Sequence, residues 1–320
     1  MKRVSATDHT QSAVEVRHPA GGGHVPSLSL SVLASGSTGN CSVLMVEGSG
    51  RREVWLIDCG LSRRRVLAGL RSLGLEDVAV AGLILTHLDD DHANATTIEN
   101  LSDVPVFVHR RHLRRAEREG RLYRRTELYT DQQNLSDLLS LAVCHAPHDA
   151  HGSAVLRFEL RPGPLRCSVG YATDVGRVSD EIVGHLHGVD TLAIESNYCP
   201  RLQAASPRPE VLKRRITGGK GHLSNEQSAR AVQRIAPREH LVLLHLSQQC
   251  NRPELAAAAH AGAPCPLTIS GATEPTAWLR SQARHRSAEP ARIPNSLFEV
   301  TLPNVAGDRE PGSAGPPLAR

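Results

Sequence analysis

The chain has 320 residues, with 37 basic and 33 acidic side chains and a formal net charge of +4. At 40% hydrophobic it can fill a sizeable core, and at 3% aromatic that core must rest on Leu, Val, Ile and Ala. These figures exclude a collagen-like or wholly disordered chain, and no apolar stretch is long enough to span a bilayer.

Residues 1–26 are polar, lack a signal-peptide core and end near Gly21, Gly22, Gly23 and Pro26. A flexible leader and a cytoplasmic location are expected. Order is predicted from Leu28, where LSLSVL alternates as a strand does. Gly36 and Gly39 make a tight loop, SGSTGN, and two more strands are predicted at Cys41–Glu47 and Arg52–Asp58 around a hairpin turn at Gly48–Gly50. Val66, Leu67, Leu70 and Leu73 have helical spacing over Ser62–Leu73, with Gly74 as a stop.

Short strands are predicted at Val80–Thr86 and Val104–His109, with a helix between them. Further strands follow at Val155–Leu160, Leu165–Ala172, Leu192–Glu195 and Leu241–Leu246. Helices are predicted at Val178–Leu186, Glu210–Ile216, Asn225–Ile235 and Pro253–Ala261. The alternation predicts a layered α/β domain over residues 27–280. Residues 281–320 are rich in Pro, Arg and Gly and read as a disordered tail. The seven cysteines form no CxxC pair, so reduced thiols are expected rather than a disulfide framework or a structural zinc site.

The densest chemistry is THLDDDH, residues 86–92, which packs His87, Asp89, Asp91 and His92 into six positions between a strand and a helix. A loop there can turn several side chains into one pocket, whereas a regular strand would put His92 on the opposite face. Imidazole with carboxylate suits a divalent zinc, manganese or iron ion, and three crowded Asp residues repel one another without a cation. A solvated acidic loop with helix-capping Asp residues is the other reading. More polar residues recur along the chain: His148, Asp149 and His151 in PHDAHG, Asp174 in YATD after the Leu165–Ala172 strand, His222 in GHLSN before a predicted helix and His245 in LLHLS at the end of an apolar strand. Each alone is readable as an ordinary core or surface residue. Together they matter only if the fold makes the strand ends converge.

LASGSTGNC, LIDCGLS, LTHLDDDH, HDA, SVGYATD, IESNYC, GHLSN and LLHLS occur in the order seen in the metallo-β-lactamase superfamily. The chain resembles its hydrolase and nuclease branches, especially the bacterial WalJ/YycJ-like exonuclease group. The resemblance implies a four-layer αββα sandwich with two divalent metal ions, Zn or Mn, at one edge. It implies His87 and His148 on the first metal, Asp91, His92 and His245 on the second, and Asp174 bridging both. Asp58 is then a buried support of the metal-binding loop, and His222 a histidine beside the metals that passes a proton. Asp91, Asp174 and His222 are the candidate catalytic residues.

One position departs from the superfamily pattern. HxHxDH is usual there, and Asp89 stands where the second His would be. Asp still ligates divalent ions. Counted with Asp91, Asp174 and a hydroxide, it balances the charge of two divalent cations, and it favours harder ions such as manganese. The opposite reading is that Asp89 is tolerated and zinc still binds.

The implied reaction is phosphodiester hydrolysis by a metal-bound hydroxide, with DNA as the leading substrate and an exonuclease as the leading enzyme. Residues 110–125 hold eight Arg and two Glu, with further basic groups at Arg63–Arg65 and Lys213–Arg215. Alone, the Arg run reads as a solvated helix face; beside two metals it adds weight to a nucleic-acid partner. Lys220, Asn197 and Asn225 read equally as substrate contacts or turn stabilisers. A small-molecule phosphodiesterase, a thioester or lactone hydrolase, and a noncatalytic nucleic-acid-binding module are the alternatives. No membrane partner is expected, and the sequence leaves the oligomeric state open.

Overall fold

The computed structural model describes residues 25–161 and 163–285. The expected leader, apart from residues 25–26, and the tail beyond residue 285 lie outside the described residues. A first sheet begins with β1 (Ser27–Ala34), β2 (Cys41–Gly48), β3 (Arg51–Ile57), β4 (Val80–Leu85), β5 (Val106–His109) and β6 (Thr126–Tyr129). A second contains β7 (Gln132–Asn134), β8 (Leu139–Ala146), β9 (Ser153–Leu160), β11 (Ser168–Ala172), β12 (Thr191–Glu195), β13 (His240–Leu244) and β14 (Leu267–Ile269). The strand β15 (Leu279–Gln282) returns to pair with β1, and β10 (Leu165–Arg166) pairs with β16 (Arg284–His285) in a small ribbon. The domain therefore runs past the expected boundary at 280: Ser281 and Gln282 pair with Leu28 and Ser27.

The alternation in β1 turns Leu28, Leu30 and Val32 toward the core between the sheets, where they join Leu141, Leu156, Phe158, Val169 and Tyr171 of the second sheet. The helices α1 (Arg63–Ser72), α2 (Ala95–Glu99) and α3 (Leu113–Arg118) belong to the outer face of the first sheet, through Val66, Leu70, Ile98 and Ala116. Those named α4 (Asp180–Leu186), α7 (Asn225–Ile235) and α8 (Pro253–Ala259) cover the second, through Ile182, Leu186, Val232, Ile235 and Ala256. Two short helices, α5 (Pro200–Ala205) and α6 (Glu210–Thr217), lie between β12 and α7 in the chain. The result is the αββα sandwich expected from the sequence.

Two differences from the predicted elements have local causes. The strand predicted over Leu165–Ala172 breaks at Cys167, whose thiol donates to Ser281 O, while Asp190 accepts the next backbone N–H. The Arg-rich run is helical only over Leu113–Arg118, after a 3₁₀ turn at Arg110–His112. The helix starts are well satisfied elsewhere. Ser224 and Gln227 form a reciprocal capping box at α7, and Asn94 accepts the Thr97 N–H at α2. All seven cysteines are free, and no helix among the described residues is long and apolar enough to cross a membrane.

Strand direction decides where chemistry can gather. β3 to β6 run parallel, as do β11 to β14. β8 is antiparallel to β9, which is antiparallel to β11, so β8 points the same way as β11. The C-terminal ends of β3, β4 and β5 share one edge of the first sheet, and those of β8, β11, β12 and β13 share one edge of the second.

Candidate metal centre

Each expected ligand follows such a strand end. His87, Asp89, Asp91 and His92 follow β4, His148 follows β8, Asp174 follows β11 and His245 follows β13. Sharp turns place them. Among the described residues, six non-glycine positions have positive φ, and Asp58, Asp149, Asp174 and His245 are four of these. Strain of this kind is concentrated where a side chain must be re-aimed.

The loop from residue 86 to 92 is clamped from below. Asp58 is fully buried, accepts from Thr86 N at 2.8 Å and from the Thr86 hydroxyl, and meets His92 Nδ1 at 2.7 Å. Asp91 O accepts from Asn40 N at 2.7 Å, and Cys59 N donates to His92 O at 2.6 Å. The crossing is so close that a Cβ on Gly60 would lie 1.7 Å from Asp91 O. One on Gly39 would lie 2.6 Å from Gly60 O. The glycines of STGNC and LIDCG are there to let three backbone segments touch.

Two sets of donor atoms result. In the first, Asp89 Oδ2 is 3.7 Å from both His87 Nε2 and His148 Nε2. In the second, Asp91 Oδ2 is 3.8 Å from His92 Nε2 and 3.7 Å from His245 Nε2. Asp174 lies between them, with Oδ1 3.7 Å from His148 Nε2 and Oδ2 2.8 Å from His92 Nε2. Donors about 2.0–2.2 Å from a common ion at tetrahedral to trigonal angles are separated by roughly 3.3–3.8 Å. Most of these spacings fall in that range, and the donor atoms of each set lie within 4.8 Å of one another.

The imidazoles are wired for this use. The Thr86 hydroxyl donates to Asp58, so it is left to accept from His87 Nδ1 at 3.0 Å. His92 Nδ1 donates to Asp58, His148 Nδ1 to Gly221 O at 3.1 Å, and His245 Nδ1 to Glu195 at 3.1 Å. With Nδ1 spent on a structural acceptor, each ring turns Nε2 toward the shared centre, where His92 Nε2 also meets Asn40 Nδ2 at 2.9 Å. His87 Nε2 and His245 Nε2 are buried without any hydrogen-bond partner. Orphaned nitrogens facing carboxylates are what a cation would satisfy, so the residues fit a pair of divalent ions.

The electrostatics agree. Burial disfavours charge on His148 and His245, but Asp89, Asp91, Asp174 and Glu195 outweigh it and raise them to about 9 and about 10. His92 is raised in the same way against its burial, mainly by Asp174 and Asp58. His87 goes the other way, pushed down by burial and by neighbouring His92. The carboxylates thus draw protons onto the centre and would hold metal cations by the same attraction.

His222 stands beside both sets, with Nδ1 2.6 Å from Glu195 Oε1 and 3.5 Å from Asp174 Oδ1. Glu195, at the end of β12, has no place among the site residues read from sequence. It is wholly buried: Oε1 meets His222 and His245, and Oε2 accepts from Val175 N and Leu223 N. Burial opposes its ionisation, but His222 and His245 hold its carboxyl below the usual range. A carboxylate ending the apolar strand TLAIE was the available signal.

A cavity of about 410 Å³ opens over the centre. Asp89, Asp91, His148, Asp174, His222 and His245 line its floor; Arg208, Leu212, Arg215 and Ile216, from α6 and the residues before it, line a wall with Gln249. Asn197 reaches this cavity, its amide donating to His245 O at 2.7 Å, whereas Asn225 is buried among Ser196 and Asn251 as a structural residue. Lys220 is exposed and does not line the cavity, nor do Arg63–Arg65 or His151. Lys213 pairs with Glu210 at 3.0 Å, and Arg215 pairs with Asp149.

A third histidine group, His109, Asp131 and His145, also has metal-like spacing. His109 Nδ1 accepts the Arg111 N–H at 3.1 Å, so its Nε2 keeps the proton and donates it to Asp131 at 3.1 Å. That is a hydrogen-bonded arrangement with no bare nitrogen from His109 at its centre.

A family model described as a beta-lactamase superfamily domain matches residues 39–246. Exodeoxyribonuclease YycJ of Bacillus anthracis is 29% identical over 240 residues, covering 72% of this chain and 86% of that one. Exodeoxyribonuclease WalJ of Streptococcus pneumoniae is 25% identical over 237 residues, covering 71% and 84%. Among solved structures, the metallo-beta-lactamase fold protein YhfI from Bacillus subtilis superposes with a TM-score of 0.60 at 15% identity, covering 80% of this chain and 100% of that one.

Proposed function

The chain belongs to the beta-lactamase superfamily, and from that premise we propose that it is a metal-dependent phosphodiester hydrolase acting on DNA, an exodeoxyribonuclease. The observation that carries the reading is the meeting of His87, Asp89, His148, Asp174, Asp91, His92 and His245, from both sheets, with all but His87 and His92 lining one cavity. The relatives named exodeoxyribonucleases support DNA as the substrate.

Bound there, two divalent cations would supply a water of lowered pKa and neutralise charge on the phosphoryl oxygens. The rest of the work falls to side chains. Glu195 fixes the His222 ring by accepting a hydrogen bond from Nδ1, which leaves Nε2, when it carries a second proton, as the atom that passes that proton to the departing oxygen. Arg208 and Arg215 on the cavity wall suit contacts with phosphate oxygens. Arg208 is steadied by Gln249 at 3.1 Å.

A panel of end-labelled single- and double-stranded DNA, RNA, cyclic nucleotides and thioesters, run with Mn and with Zn, tests this reading. Stepwise release of nucleotides from DNA that vanishes in Asp174→Ala supports it. Turnover of only the small molecules, or none with either metal, would overturn it.

A further inference from the structure

Asp89 uses its two oxygens differently. Oδ2 faces His87 and His148, while Oδ1 accepts from Arg115 Nη1 at 2.8 Å. Arg115 comes from the middle of the Arg-rich run, on α3, and only 16% of its side chain is exposed. Its other edge is engaged as well: Nε donates to Glu119 at 2.9 and 3.1 Å. Glu119 is held in turn by Arg118 and Arg121, and Arg121 reaches back to Ala93 O at 2.9 Å and to Asp90.

We propose that Arg115 and Asp89 act as one unit, an ion pair that presents a single oxygen to a divalent cation and replaces the neutral imidazole usual at this position. The inference rests on Asp89 being a ligand, as argued above. Its physical content is twofold. A guanidinium fixed on two edges holds the carboxylate in one rotamer and takes the oxygen that bidentate ligation would need. The positive charge also cancels the negative charge that Asp89 adds, so the centre keeps the balance an imidazole would give it. Arg115 and Arg121 are then braces of the metal-binding loop rather than free contacts for a phosphate backbone.

The test is metal affinity, read on the full chain after stripping and reconstitution with Zn or Mn, by competition with a chelating indicator and by metal count. Arg115→Met keeps the length and removes the charge. It should weaken one of two bound equivalents at least tenfold, as loss of an orienting partner does, and leave the other equivalent unchanged as a control for folding. In an Asp89→His background the sign should reverse: an unpaired guanidinium beside an imidazole repels the cation, so adding Arg115→Met strengthens binding. An unchanged affinity for Arg115→Met, loss of both equivalents, or the same direction in both backgrounds would overturn the proposal. Asp89→Ala separates the two layers. If it keeps both equivalents at full affinity, the ligand reading itself is wrong. If it loses one while Arg115→Met loses nothing, only the ion-pair inference falls.

Discussion

Two groups of histidines stand at strand ends of the sandwich and are wired in opposite senses. In the centre, His87, His92, His148 and His245 spend Nδ1 on an acceptor and turn Nε2 inward, unpartnered in His87 and His245. In the group at the end of β5 and within β8, His109 and His145 both turn Nε2 onto one oxygen of Asp131, whose side chain is 69% exposed, and a backbone N–H occupies His109 Nδ1. Donor spacing alone does not separate them, because the donor atoms of each set lie within 4.8 Å of one another. The partner of the other ring nitrogen does: it decides whether an imidazole arrives as a ligand or as a hydrogen-bond donor.

The sharpest way to break this contrast is Asp174→Ala. Both donor sets lose their shared carboxylate, so metal count should fall for both and DNA hydrolysis should drop more than about 100-fold, beyond the effect of a residue that only orients a ligand. Next is His222→Ala, for which turnover should fall about 10²- to 10⁴-fold with most of the metal still bound; an unchanged rate would make His222 structural. Glu195→Gln should cost roughly 10- to 100-fold in turnover, with weaker metal binding through His245. A change confined to substrate affinity would argue against its orienting role.

His112 offers a smaller, pH-dependent effect. It is buried with neither ring nitrogen partnered, and burial with its cationic neighbours lowers its pKa to about 3. The fold holds it neutral while the unfolded chain takes its proton. Its contribution therefore falls as pH drops from about 6.5 toward about 3, by up to ~1.4 kcal/mol per pH unit. His112→Leu should flatten that acid limb in denaturant titrations; an unaltered slope would place the acid sensitivity elsewhere. The smallest expected effect is the most pointed: His109→Ala with His145→Ala should leave the metal count unchanged. Loss of an equivalent would erase the distinction between the two groups.

The sequence reveals much of this centre because its local logic is short-range. THLDDDH follows an apolar strand, and His and Asp residues recur in the second half, so the candidate donors are visible as motifs, while their meeting at one centre is implied by the resemblance rather than by spacing. Glu195 is not visible in this way, since one carboxylate at the end of an apolar strand has no local partner; its imidazoles come from positions 222 and 245. Arg115 was hidden for a different reason. One Arg among eight looks like a solvated face, and only α3 packing beside the loop singles it out. The strands β6 and β7 escaped because they are short, at 4 and 3 residues, and largely exposed, so pairing rather than pattern defines them.

The proposed hydrolysis depends on the closure of the sandwich. One leaf supplies His87, Asp89, Asp91 and His92; the other brings His148, Asp174 and His245. Neither leaf owns all the candidate donors, so cations placed at their seam would act as rivets, and a chelator would then loosen the joint between the leaves while it silenced the proposed chemistry.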